Sequence, residues 1–181
     1  MNFSNTQRMQ AINWLLRFVG LIFLILFQVL VLNKLNVGTY AHPYVYPMFL
    51  LLLPFNTPKW VMLPLAFLIG LTIDMFNNTP GMHAAACVAI AFLRPQFIKF
   101  YTPVTGYENV KAPSISQLGV IWFALFTLTM IFIHHLLYFF IQVFWLKDLG
   151  LVLLKVVFST ALSTMLIVIL AFLFASRKTR L

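Results

Sequence analysis

Asp74, His83 and the adjacent pair His134 and His135 are the residues of this sequence best equipped for chemistry. A carboxylate and imidazoles inside a membrane could carry a proton or hold a cation. The supply is thin, because Asp and Glu together number three, Asp74, Glu108 and Asp148. No second intramembrane carboxylate stands beside Asp74 for a relay, a metal cage or an acid pair. A structural ion pair or a hairpin cap is therefore the favoured reading of Asp74. His134 and His135 point about 100° apart on a helix and cannot share a metal as an i, i+4 pair would; hydrogen bonding across helices is their expected role. Cys87, the single cysteine, has no disulfide or zinc companion and reads as a small packing residue. No serine lies in a nucleophile-elbow context. The chain reads as non-enzymatic, with no cofactor and no metal.

These residues must be held by elements suited to lipid. Hydrophobic residues make up 62% of the 181 and charged residues only 8%, against about 25% charged in soluble domains. Such a chain cannot cover itself with a water-soluble surface. The expected fold class is all-α: a polytopic membrane protein of one domain, residues 1–181, with about six transmembrane helices. The candidate spans are 14–32, 44–55, 61–76, 82–98, 118–143 and 150–175. The first run is too long for a signal-peptide core and reads as a retained anchor. The second is short and bracketed by Pro43, Pro47, Pro54 and Pro58, so it could cross obliquely or enter and leave by one face. Asn77, Asn78, Thr79, Pro80 and Gly81 form a turn cluster that folds spans three and four into a tight hairpin.

Charge counting tests the doubtful second run. With six crossings and both termini inside, Arg8, Arg17, Lys59, Arg94, Lys99, Lys111, Arg177, Lys178 and Arg180 are cytoplasmic, and only Lys34, Lys147 and Lys155 lie outside. An inverted arrangement of five crossings gives a weaker bias of eight against four. The basic residues flank apolar runs rather than forming a patch with interleaved aromatics, so membrane lipid is the expected contact and nucleic acid is not. Arg17 and Arg94 are expected to snorkel to the cytoplasmic headgroups, and Trp14, Trp60, Trp122 and Trp145 to sit at the interfaces.

In that orientation Gln28, Asp74, His83, His134, His135 and Lys155 all fall in the extracytoplasmic half. Burying them against lipid would cost a few kcal/mol each. An outer polar recess between helices is expected, with Gln28, His134, His135 and Lys155 in it.

The stretch 64–95 carries a pattern: Gly70, Leu71, then Asp74, Pro80, Gly81, His83, Ala84, and Arg94 at the helix end. It resembles the MreD family, rod shape-determining membrane proteins of bacteria. Chain length, six apolar runs, a short proline-flanked second run and a basic C-terminus are also similar to that family. The resemblance implies a scaffold subunit of the cell-elongation and peptidoglycan-synthesis machinery in the bacterial inner membrane. It implies an MreC-like bitopic partner and, indirectly, the MreB filament, RodA and a penicillin-binding transpeptidase. It also implies a fold similar to the substrate-capture subunits of energy-coupling-factor transporters. The hairpin residues Gly70, Asp74, Asn77, Asn78, Pro80, Gly81 and His83 would then form a structural or partner-binding unit. The rival reading is a small-molecule capture or transport subunit with a pocket facing outward.

Overall fold

A computed structural model describes residues 3–35, 38, 40–104, 106–108, 110–143 and 149–174. Among them there is helix and no strand: α1 (Phe3–Leu30), α2 (Met48–Leu51), α3 (Lys59–Asn77), α4 (Met82–Phe100), α5 (Ile115–Leu118), α6 (Val120–Gln142) and α7 (Leu149–Phe174). A 3-10 turn over Leu32–Lys34 follows α1. Among the described residues four stretches are long and apolar enough to cross a membrane: Trp14–Lys34, Lys59–Asn77, Val120–Gln142 and Leu149–Phe174. In lipid a backbone must satisfy its own N–H and C=O groups, and a helix does this within one segment. Leu16, Phe18, Phe158 and Phe172 stand exposed on α1 and α7, a surface suited to acyl chains and not to water. The chain is an all-helical protein of membrane type.

α3 and α4 pack as a hairpin, α4 packs on α6, and α6 packs on α7. One core cluster joins α3, α4 and the C-terminal part of α6 through Met62, Ile69, Ile73, Cys87, Ile90 and Phe139. A second joins the segment after α1 to α6 and α7 through Val45, Leu51, Phe123, Met130 and Ile167. The expected spans at 61–76, 82–98 and 150–175 fall on the helices α3, α4 and α7 within two residues at each described end, and of these α4 is not among the four stretches apolar enough to cross. The expected helix over 118–143 is interrupted at its start, where Gly119 adopts φ +82° and separates α5 from α6. Asp148, one of the three acids, and Lys147, Trp145 and the tail 176–181, used in the topology argument, lie outside the described residues.

The run 44–55 is not a continuous helix, since only Met48–Leu51 is helical. Pro43, Pro47 and Pro54 each lack an N–H and fix φ, and three within twelve residues keep the helix short, whereas α3 and α4 each absorb a single interior proline, Pro64 and Pro95. Yet the segment is in the core: Val45, Tyr46, Leu50 and Leu51 are fully buried. It descends beside α4, with Tyr46 against His83 and Leu51 against Arg94. Those two α4 residues are about 16 Å apart along the axis. Irregular backbone at membrane depth is tolerated only where protein encloses it. The question for the rest of the molecule is what satisfies this segment's polar groups.

Candidate functional site

The answer begins at the α3–α4 turn. Asn78 takes a left-handed conformation at φ 54°, and the N–H groups of Asn78 and Thr79 both reach the Asp74 carbonyl. Gly81, at φ +81°, starts α4. The Asp74 carboxylate then caps the new helix: Oδ1 accepts from the His83 N–H at 3.0 Å and the Thr79 hydroxyl at 2.8 Å, and Oδ2 accepts from the Ala84 N–H at 2.9 Å. Orphan donors and the positive end of the helix dipole hold the negative charge. Asp74 is thus a cap, and among the described residues no cation pairs with it. Gly70, one turn earlier on the same face of α3, allows the approach. A Cβ there would lie 2.4 Å from Ala84 Cα.

The broken segment is answered by side chains from four helices. Gln28 accepts from the Val45 N–H at 2.9 Å and donates to the Pro43 carbonyl at 3.0 Å. Ser159 Oγ accepts from the His42 N–H, and Ser163 Oγ accepts from the Tyr44 N–H. His135 donates from Nδ1 to the Ile131 carbonyl at 2.9 Å and lies with Nε2 3.3 Å from the His42 carbonyl. At the other end Arg94 donates to the carbonyls of Leu51, at 3.2 Å, Leu53 and Pro54. Arg94 therefore does not snorkel to headgroups: it is buried, and its fork of donors serves the carbonyls left open where α2 ends. Arg17, by contrast, lies over the Trp14 ring at 5.5 Å.

A second set of bonds has a direction that can be derived. Gln28 is oriented by two backbone groups, so its Nε2 must also be the donor to Asn33 Oδ1 at 2.8 Å. Asn33 Nδ2 then donates to Asn77 Oδ1 at 2.6 Å, and Asn77 Nδ2 donates to His83 Nε2 at 3.2 Å. An accepting Nε2 makes neutral His83 the Nδ1–H tautomer, which donates to the Tyr46 oxygen at 2.8 Å. The Tyr46 hydroxyl is left to donate to His134 Nε2, also at 2.8 Å. One polarised chain thus runs from α1 through the α3–α4 turn and Tyr46 to α6. It ends at His134 Nδ1, which is buried and has no partner among the described residues.

Tyr46 is the only link in that chain supplied by the broken segment. Tyr46→Phe keeps the ring but leaves His83 Nδ1 unpaired and His134 Nε2 with only the Cys87 thiol, 3.9 Å away. The expected loss is about 1 to 3 kcal/mol of unfolding free energy in mixed micelles, since intramembrane hydrogen bonds run from about 0.6 to 1.7 kcal/mol each. Tyr44→Phe, whose ring stacks on His135 at 5.3 Å, should cost less. Equal losses would mean that removal of any buried tyrosine hydroxyl, not interruption of the chain, sets the effect.

The structure brings Gln28, Asp74, Asn77, His83, His134 and His135 to one end of the bundle, around the α3–α4 turn. Asn78, Pro80 and Gly81 shape that turn. Lys155 is half-buried on α7 and takes no part in these bonds. A cleft of about 290 Å³ opens at this end, but Asn33, Asn77, Thr79, Tyr138 and Gln142 line it, with His42, Pro43 and Tyr44. The expected recess residues Gln28, His134 and His135 are instead buried and serve the bonds within the bundle. Sequence reasoning did not single out Tyr46, Ser159, Ser163 or His42. Ser159 and Ser163 had a signal in their i, i+4 spacing on one face of an apolar helix. Tyr44 and Tyr46 had one in their alternation between prolines, which suits extended chain.

Fold and centre define a class: a helical protein of membrane type whose buried polar side chains complement an irregular segment inside the bundle. Comparison with family models, curated proteins and solved structures gives no match to this chain.

Proposed function

We propose that this chain is a non-enzymatic scaffold subunit of the bacterial cell-elongation complex in the inner membrane, binding an MreC-type bitopic partner. The observation that carries the reading is the interlocking of the residues that resemble the MreD pattern. Gly70 admits Ala84, Asp74 caps His83 and Ala84, Gly81 turns the chain, and Arg94 fixes the backbone at Leu51 and Leu53. Gln28, Asp74, Arg94, His135, Ser159 and Ser163 each hold a backbone group, which is the economy of a rigid frame. In this reading the broken segment is the second of six crossings. Its descent from His83 to Arg94 supports that, as does the nine-against-three charge bias with both termini cytoplasmic.

The test is copurification of the tagged chain from a rod-shaped bacterium in mild detergent. A single-span protein with a large extracytoplasmic domain should be recovered with the wild type. Recovery should fall severalfold with a Pro80, Gly81 double substitution whose thermal unfolding midpoint remains measurable. Absence of such a protein from the wild-type eluate would sink the scaffold reading.

A further inference from the structure

The cleft at the α3–α4 turn has a chemical character of its own, independent of whether the chain is a scaffold. Exposed Asn33 and Gln142 stand at its mouth, and buried Tyr44 and Tyr138 form its floor, their rings 5.3 Å apart and nearly perpendicular. No Asp, Glu, Lys or Arg lines it. Its volume of about 290 Å³ sits at the lower end of small-molecule sites, roughly 300 to 1,000 Å³.

Hydrogen-bond counting shows what remains available. A carboxamide carries two N–H donors, and Asn33 and Asn77 each spend one internally, on Asn77 and His83. One donor on each is left. Thr79 spends its proton on Asp74 and keeps acceptor capacity on Oγ1. Gln142 makes no hydrogen bond among the described residues, so its whole carboxamide is open. The cleft thus offers neutral donors and acceptors around a corner of two aromatic rings. A charged ligand would find no Asp, Glu, Lys or Arg to pair with, His42 being the one imidazole on the wall, and would lose hydration without return. A purely apolar ligand would leave the amides unpaired. A ring with hydroxyls on its edge and C–H groups on its face matches both features.

We propose that this cleft binds a neutral, hydroxyl-bearing ring of monosaccharide size, presented either free or as the headgroup of a glycolipid. The carboxamides of Asn33, Asn77 and Gln142 read the hydroxyls, and Tyr44 and Tyr138 take the apolar face. Because Asn77 also donates to His83, an occupant that draws on its amide acts directly on the polarised chain.

The test uses the full chain purified in a polyoxyethylene detergent, which carries no sugar. Glucose, galactose and N-acetylglucosamine are titrated while the thermal unfolding midpoint is followed, with glucuronate as the charged control. A parallel series places the chain in nanodiscs with and without glucosyl-diacylglycerol. A saturable rise with a neutral sugar and none with glucuronate is expected. Gln142→Ala should weaken the apparent affinity about tenfold, the scale of one well-made hydrogen bond. Gln142→Trp, which fills the mouth from an exposed position, should abolish it. A response to free sugar assigns a soluble ligand, and a response only in glycolipid discs assigns a headgroup. No saturable response in either series, or unchanged affinity in Gln142→Trp, overturns the proposal.

Discussion

Arg94→Met should lower the unfolding free energy by about 2 to 5 kcal/mol, the range for stranding two buried acceptors. Methionine replaces much of the aliphatic stem, so little of this is a cavity effect. The loss falls on the carbonyls of Leu51 and Leu53, which accept from the guanidinium and have no other donor among the described residues. An acceptor stranded in a buried site costs about 1 to 3 kcal/mol. Pro54 is protected, because the Thr57 hydroxyl also donates to it at 2.8 Å. Arg94→Lys should recover less than half of the loss. An ammonium is a point charge on a flexible stem and cannot hold separated carbonyls as a planar fork does. Equilibrium unfolding in mixed micelles measures both variants. A loss under about 1 kcal/mol for methionine would mean that water reaches those carbonyls.

The error over Arg94 shows where sequence reasoning stops in a membrane protein. An arginine near the end of an apolar run is read as a headgroup contact, because lipid is assumed to be its only neighbour. Here the neighbour is a helix four residues long, whose terminal carbonyls need donors at that depth. The prolines around 44–55 announced that a regular span was in trouble, and that much was legible. What the segment does instead depends on partners far away in the chain, at Gln28, Arg94, Ser159 and Ser163, which no local pattern reveals.

The α3–α4 hairpin was more legible because its logic is local. Asn77, Asn78, Pro80 and Gly81 are turn formers by their own backbone preferences, and Asp74 lies close enough in sequence to reach the next helix start. The adjacent histidines divide as their 100° offset requires: His134 joins Tyr46 and His135 joins the Ile131 and His42 carbonyls. The gathering of polar residues at one end was also foreseeable from their depths. Their division into a buried complement and an open cleft was not, since burial depends on which helix face meets which neighbour.

A double-mutant cycle at Gly70 and Asp74 should show strong coupling, because the first residue creates the geometry that the second uses. A Cβ at position 70 would meet Ala84 Cα at 2.4 Å, and Ala84 N and the His83 carbonyl oxygen at 2.6 Å. All three are backbone atoms, so no side chain can swing aside and α4 itself must retreat. Ordinary contact needs a separation near 3.4 Å or more, a retreat on the order of 1 Å. The bonds from Asp74 to the His83 and Ala84 N–H groups, now 3.0 and 2.9 Å, would then stretch beyond useful length. Gly70→Ala should therefore cost about 3 kcal/mol, overpacking and a lost cap together. Asp74→Ala should cost about 2 to 4 kcal/mol through two stranded donors. With the cap already broken by Gly70→Ala, adding Asp74→Ala should cost less than it does alone by roughly 1 to 2 kcal/mol. Additive losses within about 0.5 kcal/mol would mean that the carboxylate follows α4 outward and that close helix approach is not what makes the cap.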